Sequence, residues 1–577
     1  MGKAVLIKIF ALILGLIFVT TKTHSQEVLI NIQSIDGIPH NIKLQANQTA
    51  RDSLTAASKL KQLKSEIVEK GYLTASFDSL FWSKDTVTAF LRFGNEYKWA
   101  YLKKGNVPEE YLNASRFREK LYTDQPFSPR AFARLIEASL KSAENNGFPF
   151  ASIRLDSLEI TDNNIHAVLN MERNQYTVID SIILKGDAKT NQNYLKNYLS
   201  IRIGEPYNQS TLNRIPTRLK ELPFINVIKP YEVGMRPGKA DIYLYLDPKK
   251  ASNFNGIVGI MPDNQTGKTL ITGDVELNLL NNFRQGESIN LKWQRLQTRT
   301  QELNLALNYP FLFDTPFGLE LGFDLYRRDT LFSNVSSLIG AQYFFKGGNY
   351  ARLFYENDQS NVISSETFSI DDYIDSRINS YGVGLKFRDL DYKFNPSRGY
   401  FAEASIAAGK KKILKNPNVD ESEYEDIKLN SDIYNITLNT GIYLPLATRS
   451  VVLLRVRGAY LLNDNMFKNE IYRIGGLKTI RGFNEQSIFA SGYGVATIEY
   501  RFLLEENSNI FLFFDQGAYE DRSVNTTISD TPIGFGAGIN FETNAGVFSL
   551  TYALGKQLDN DIEIRNGKIH FGFISFF

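Results

Sequence analysis

Polar and apolar positions follow two different rhythms along this chain, and the change falls near Ser252. Beyond it, residues alternate one by one. Ile289, Leu291 and Trp293 interleave with Asn290, Lys292 and Gln294. Leu303, Leu305, Leu307 and Tyr309 interleave with Glu302, Asn304, Ala306 and Asn308. Ile533, Phe535, Ala537, Ile539 and Phe541 interleave with Gly534, Gly536, Gly538 and Asn540. A period of two marks a strand with one apolar face. A soluble sandwich would show the same alternation. Three features favour a membrane barrel instead. The segments run to about ten residues, as a tilted crossing needs. Aromatics gather at strand ends, as in Tyr309-Pro310-Phe311-Leu312-Phe313 and Tyr343-Phe344-Phe345. The final strand, Phe571-Gly572-Phe573-Ile574-Ser575-Phe576-Phe577, carries no tail. The expectation is an antiparallel transmembrane β-barrel of about 16 strands over 249–577. Its first strand should lie near Asn253–Met261 and its last at Ile569–Phe577.

Before Ser252 the rhythm is helical and repeats. A helix is expected near Ser53–Lys70, then Gly71-Tyr72, then a strand Thr86–Phe93. A second is expected near Pro129–Asn145, then Gly147-Phe148, then a strand Ile165–Met171. A third is expected near Leu212–Leu222, then Pro223-Phe224, ending in the apolar alternation Ala240–Leu246. Gly71, Gly147 and Pro223 are spaced by about 76 residues, which argues for tandem α+β modules. The boundaries expected are 26–95, 96–175 and 176–248. These modules are either spacers or units whose sheet edges accept an extended segment.

Ahead of the modules, Lys3 and Lys8 flank an apolar run, Ile9 to Val19, and small or polar residues follow up to Ser25. This predicts a secretory signal peptide over 1–25, cleaved after Ser25. No later stretch reaches the roughly 20 apolar residues of a spanning helix, so a membrane crossing falls to a closed barrel. With 40 Phe and 30 Tyr against 5 Met, the composition suits strands and interfacial girdles. The formal charge of +2 gives no reason to expect a nucleic-acid partner. Cysteine is absent, which removes disulfides, thiolate chemistry and thiolate-bound zinc.

Chemistry is hard to find. Gly267-Lys268-Thr269 resembles the end of a phosphate loop, but Pro262 stands where the first glycine belongs, so a hairpin turn is expected. Gly534, Gly536 and Gly538 fall on one face of a strand and read as small lumen-facing residues. His24, His40, His166 and His570 are scattered. No cofactor, metal site or catalytic constellation is expected.

One long, weakly periodic stretch remains within 464–490, rich in glycine and aromatics and centred on Ile480, Arg481, Gly482 and Phe483. Long ordered loops in compact β-proteins are commonly functional. Glu499 alternates with Ala496, Ile498 and Tyr500, and Asp515 is out of phase with Ile510, Leu512 and Phe514. Both acids therefore point into the lumen. On residues alone, Arg481 either pairs with them inside the barrel or is a solvated loop residue. Gly482 would allow a sharp backbone turn.

Ile480-Arg481-Gly482-Phe483 is similar to the Val/Ile-Arg-Gly-Phe/Tyr loop motif of the BamA/TamA superfamily of outer-membrane assembly proteins. Ile498-Glu499-Tyr500 and Phe513-Phe514-Asp515-Gln516-Gly517 resemble the two strands that follow it there, and Asn395-Pro396-Ser397-Arg398-Gly399-Tyr400 resembles a strand entry common in that family. The modules resemble its periplasmic POTRA modules. The resemblance implies that Arg481 docks on Glu499 and Asp515, folding the loop into the lumen. It implies an outer-membrane location with modules in the periplasm, and insertion or translocation of unfolded outer-membrane protein clients, with a periplasmic partner and contact with outer-membrane lipid. Activity would lie at the seam between first and last strands, where Gly572 weakens packing and Gly572, Phe573 and Phe577 form a terminal strand signal. A two-partner secretion transporter or a passive porin are the alternatives. Relatives of the first kind carry two modules and a plug helix, whereas 26–50 reads as strand and loop.

Overall fold

The computed structural model describes residues 27–262, 269–297, 300–363, 370, 372–392, 395–523, 527–543, 546–558, 562 and 564–576. The expected signal peptide, the Gly267-Lys268 turn and Phe577 lie outside these residues. The chain forms two compact units, Met1–Thr177 with Pro206–Gln209, and Val178–Glu205 with Ser210–Phe577.

The first unit holds two mixed sheets. In the first, strands run in the order Asn47–Ala50, Val28–Ser34, Thr86–Arg92, Ser76–Ser83. In the second they run Gln125–Pro126, Lys98–Lys103, Asn164–Glu172, Ser152–Thr161. The central pair of each sheet is parallel. Parallel neighbours need a crossover, which helices supply. Ser53–Glu69 is capped by the Asp52 carboxylate, which accepts from the Thr55 amide at 2.7 Å, and it buries Ala56, Leu60 and Ile67 against Ile30, Val87 and Leu91. Pro129–Glu144 is capped by Ser128, and a further helix, Glu109–Ser115, was not legible in the periodicity. Trp99 fills the second core among Tyr122, Phe127 and Phe132.

The glycines of the repeat have a physical task. Gly71 and Gly147 sit just past their helices with φ of +98° and +91°, a conformation that costs other residues. The Gly71 carbonyl accepts from the Tyr97 amide, and the Gly147 carbonyl from the Thr177 amide, both at 2.8 Å. In the third copy the Phe224 carbonyl accepts from Lys249 at 3.0 Å. The single helix expected near Leu212–Leu222 is instead two short pieces, Gln209–Leu212 and Ile215–Lys220. Pro216, which has no amide to donate, sits in the first turn of the second piece, a favoured place for starting a helix and an unfavourable one for continuing it.

The second unit joins this third module to the barrel. Its sheet runs Ile225–Arg236, Lys239–Pro248, Val178–Lys185. The helix Gln192–Leu199 lies on the barrel end. Tyr194 packs on Phe224 and Phe311, and Phe311 on Phe344 at 4.8 Å between ring centres. Lys196 and Asn197 both reach Asp314, at 3.0 and 2.8 Å. Phe311 and Phe344, read from sequence as girdle aromatics, are therefore buried, while Phe313, Tyr343 and Phe345 stay exposed.

Sixteen long strands close the barrel: Asn253–Pro262, Thr269–Leu280, Ser288–Gln297, Thr300–Tyr309, Phe317–Arg328, Phe332–Lys346, Asn349–Val362, Ser376–Leu390, Gly399–Ile413, Asn430–Ala447, Ser450–Leu462, Gly492–Glu505, Ser508–Asp521, Ile533–Thr543, Gly546–Lys556 and Lys568–Phe576. All neighbours are antiparallel, and a short strand, Ile528–Asp530, extends the pairing beside Ser508–Asp521. Among the described residues no helix is long and apolar enough to cross a membrane.

Candidate functional site in the barrel lumen

Alternation decides which side chains enter the lumen, and register decides which of them meet. Arg455, Thr497, Asp515, Gly534 and Gly555 lie opposite one another across five successive strands. The adjacent row is Leu453, Glu499, Phe513, Gly536 and Ala553. Glu499 and Asp515 are thus one row apart on neighbouring strands. Asp515 is 1% exposed at its side chain and Glu499 7%.

The segment between Leu462 and Gly492 folds into this lumen. It forms a small hairpin, Tyr472–Ile474 with Ile488–Ala490, that the sequence pattern did not reveal. Ile474, Ile480, Phe483 and Ile488 cluster with Val495 and Tyr519 of the wall. Arg481 projects between the two acids. Its Nε and Nη2 donate to the two oxygens of Asp515, each at 2.7 Å, and its Nη1 donates to Glu499 at 2.5 Å. Its guanidinium carbon lies 3.6 Å from the centre of the Phe513 ring. The planar fork suits two carboxylates, and its face suits an aromatic ring.

Two further side chains complete the cluster, and neither was foreseen. Arg501 Nε donates to Glu499 at 2.7 Å, and the Thr497 hydroxyl donates to Asp515 at 2.7 Å. Within this hydrogen-bonded group two guanidiniums meet two carboxylates, and every carboxylate oxygen is satisfied. That matters because burying a charge pair is tolerable only with further hydrogen bonds.

Glycines of the wall make room for the loop. A Cβ on Gly534 would lie 2.0 Å from the Arg481 carbonyl oxygen, and one on Gly555 2.7 Å from that of Gly482. A Cβ on Gly517 would lie 2.8 Å from the Cδ1 of the Ile480 side chain. Gly482 itself has φ of +95°, and a Cβ there would meet the Leu554 backbone at 2.5 Å. Gly534 was read from sequence as a small lumen residue; Gly517 and Gly555 were missed, because only register reveals that the Ile480 side chain reaches the first and the loop backbone crosses the second.

A second anchor lies on Gly399–Ile413, three strands before Gly492–Glu505 in the barrel order. Lys411 donates to Glu470 at 2.5 Å, and their side chains are 1% and 3% exposed. Glu470 also accepts from the Ser376 hydroxyl at 2.6 Å. Asn469 donates to Ser360 and to the Ile374 carbonyl. On the fourth and fifth strands, Glu302 accepts from Gln486 at 3.0 Å and Tyr326 lies under Arg473 at 3.5 Å. Above this, Ile370, Ile374, Ile413, Val419, Tyr424 and Phe467 form an apolar cap at the end away from the third module.

The terminal-strand residues lie elsewhere. Gly572 is opposite Ser549, with ordinary space for a Cβ, and Phe573 packs on Phe548 at 4.5 Å. Among the described residues the barrel ends meet through Asn253 opposite Phe576 and Phe254 opposite Ser575. The hairpin before it is paired from Val547–Ile574 through Ala553–Lys568.

A transmembrane barrel with an in-folded loop and α+β modules on its N-terminal side defines a class of outer-membrane protein, and comparison with known proteins agrees with it. The Omp85 superfamily domain matches residues 281–577. The chain belongs to the Omp85 superfamily. It is similar to the outer membrane protein assembly factor BamA of Neisseria meningitidis serogroup B, at 22% identity over 252 residues, covering 43% of this chain and 30% of that protein. The matched span is thus under a third of that relative's length. Among solved structures, CdiB from Escherichia coli matches with a TM-score of 0.54 at 13% identity, covering 90% of this chain and 98% of that one. CdiB from Acinetobacter baumannii matches with a TM-score of 0.52 at 13% identity, covering 90% and 97%. The chain is an outer-membrane β-barrel protein with its N-terminal modules in the periplasm.

Proposed function

We propose that this chain inserts or translocates outer-membrane proteins, with its modules receiving unfolded clients or a periplasmic partner and its barrel acting at the seam. The modules span 26–95, 96–175 and 176–248 in this reading. The observation that carries the proposal is the seam itself. Among the described residues two opposed pairs join Asn253–Pro262 to Lys568–Phe576, and most of that edge of the last strand has no ladder partner there. An unpaired edge is a template for another strand. Folding of the client into lipid supplies the driving force, so no nucleotide or cofactor is called for.

The modules offer edges of the same kind. Ser76–Ser83, Ser152–Thr161 and Ile225–Arg236 are each the outermost strand of their sheet. They expose Phe81 and Trp82, Leu158 and Ile160, and Ile228. Each carries a register irregularity, a device that limits indiscriminate pairing.

A dedicated secretion transporter is the second reading, favoured by the fold likeness to CdiB. Against it, 28–50 supplies two sheet strands rather than a plug helix. A passive porin fits poorly with a lumen crossed by an anchored loop. Depletion of the protein followed by a census of outer-membrane proteins separates these readings. Loss of many unrelated barrels supports assembly. Loss of one secreted substrate with the barrels intact supports dedicated transport and refutes general assembly.

A further inference from the structure

The outer surface of the barrel carries a feature that the lumen does not explain. Register sets three rows across four strands, on the face opposite Lys411, Ser376 and the other lumen residues. The lowest is Tyr355, Tyr381, Ala408 and Tyr434. Its tyrosines sit at the level where aromatic rings mark a membrane interface, and Tyr381 is 71% exposed. Below it the faces are apolar: Val383, Leu385 and Phe387 on one strand, Ile436 and Leu438 on another. Between them Gly399–Ile413 presents Ala402, Ala404 and Ala408, with Ile406 its one large apolar side chain there.

Above the tyrosines the next row is Asn357, Asn379, Lys410 and Asp432. The next is Gln359, Arg377, Lys412 and Asn430. Lys410 is paired with Asp432. Arg377 and Lys412 are exposed, stand directly opposite one another, and have no acidic partner among the described residues. Like charges directly opposed on a sheet repel. The polar row between them and the girdle is ordered: the Tyr355 hydroxyl and the Asn357 amide both donate to Asn379 Oδ1 at 2.7 Å.

We propose that this patch binds the phosphate-bearing headgroup of an outer-leaflet lipid. The inference rests on the outer-membrane location and not on the proposed activity. Arg377 and Lys412 share the phosphate, which removes their repulsion. Arg377 provides the planar fork that suits phosphate oxygens. The Tyr355, Asn357 and Asn379 edge lies beside the headgroup. One acyl chain enters the gap at Ala408, between Tyr381 and Tyr434, and passes over the exposed Ile406 toward Ala404 and Ala402. Charge complementarity and the break in the girdle under the cations select a lipid over a protein partner.

Native mass spectrometry of the full chain in detergent micelles, with diphosphoryl lipid A as probe, tests this. The wild type should retain lipid A adducts. The pair Arg377→Gln and Lys412→Gln should weaken retention on the order of tenfold, since each surface cation contributes roughly a kilocalorie per mole toward an anionic membrane. Ala408→Trp leaves the charges in place but fills the acyl gap, and should also lower retention. Heat-modifiable gel mobility confirms that each variant is folded. Dephosphorylated lipid A should be retained poorly, and inorganic phosphate should not displace the adduct. Equal retention by wild type and the charge variant would overturn the proposal. So would equal retention of dephosphorylated lipid, or displacement by inorganic phosphate.

Discussion

Arg481 and Asp515 are joined three times: through Nε and Nη2 at 2.7 Å each, and through the Arg481 backbone amide at 3.2 Å. One carboxylate therefore fixes both the direction of the side chain and the position of the loop backbone. Arg481→Ala leaves Asp515 buried with only the Thr497 hydroxyl and the amide of residue 481 to answer its charge. Removing one partner of such a pair costs about 3–5 kcal/mol when it is desolvated. We expect the low end, since Arg481 retains 11% exposure of its side chain. Arg481→Lys should recover little, because a point charge cannot reproduce the fork. Limited proteolysis within 464–490 reports the loss of docking. An unchanged digestion pattern for Arg481→Ala would mean that apolar contacts alone hold the loop.

Glycine substitutions separate loop docking from barrel folding. Gly534→Ala places a methyl group against the Arg481 carbonyl and should displace the loop. Gly494→Ala, where nothing lies within 4 Å of the added atom, should be silent. Both variants should insert and show the same heat-modifiable mobility shift. Proteolytic release of the loop in both, or in neither, would contradict the close approach at Gly534.

The second anchor predicts a cycle rather than a single loss. Lys411→Met strands Glu470, and Glu470→Leu strands Lys411, each costing about 3–5 kcal/mol at so buried a site. The double variant Lys411→Met with Glu470→Leu should recover most of that, since an apolar pair of similar volume is often neutral. Thermal unfolding of the four proteins measures the coupling. Additive losses would show that the two residues act separately.

The seam can be tested because the chain has no cysteine of its own. Phe254→Cys with Ser575→Cys places thiols at opposed positions. Oxidation should lock the barrel, abolish complementation of a depleted strain, and be reversed by reductant. Normal client assembly by the fully oxidised form would show that the seam need not open.

The first module carries a pH-sensitive joint. Burial disfavours the Asp36 charge, but the Gly94 and Phe93 amides, at 2.8 and 3.0 Å, outweigh it and hold the carboxyl below its usual range. The folded form thus binds its proton more weakly than the unfolded one. The contribution to stability is complete above the unfolded carboxylate value of about 3.9 and is lost as pH falls through the folded value. Hydrogen exchange at Phe93 and Gly94 should accelerate over that acid range in the wild type. In Asp36→Asn exchange at these amides should depend less on pH there.

Much of this was legible because alternation carries its own phase. Glu499 and Asp515 could be assigned to the lumen from their apolar neighbours alone, and strand length distinguished a barrel from a sandwich. What stayed hidden depends on register across distant strands. Lys410, Lys411 and Lys412 look equivalent in the sequence, yet one is buried against Glu470, one pairs with Asp432 on the outer face, and one stands exposed opposite Arg377. Gly517 and Gly555 look like ordinary strand glycines until the loop is laid across them. Phe311 reads as a girdle residue until the third module covers it.

The loop is bonded unevenly around the wall. Its described hydrogen bonds reach strands from Thr300–Tyr309 to Ser508–Asp521, and its backbone rests on Ile533–Thr543 and Gly546–Lys556. Among the described residues none reaches the first three strands or the last. Mechanically the barrel is a spoked hoop with one sector left unspoked, and that sector contains the joint. On the proposed mechanism, strain applied there would not be shared with the braced arc, and the ends would part while the rest of the ring keeps its circumference. Stiffness elsewhere is what lets a single joint be soft.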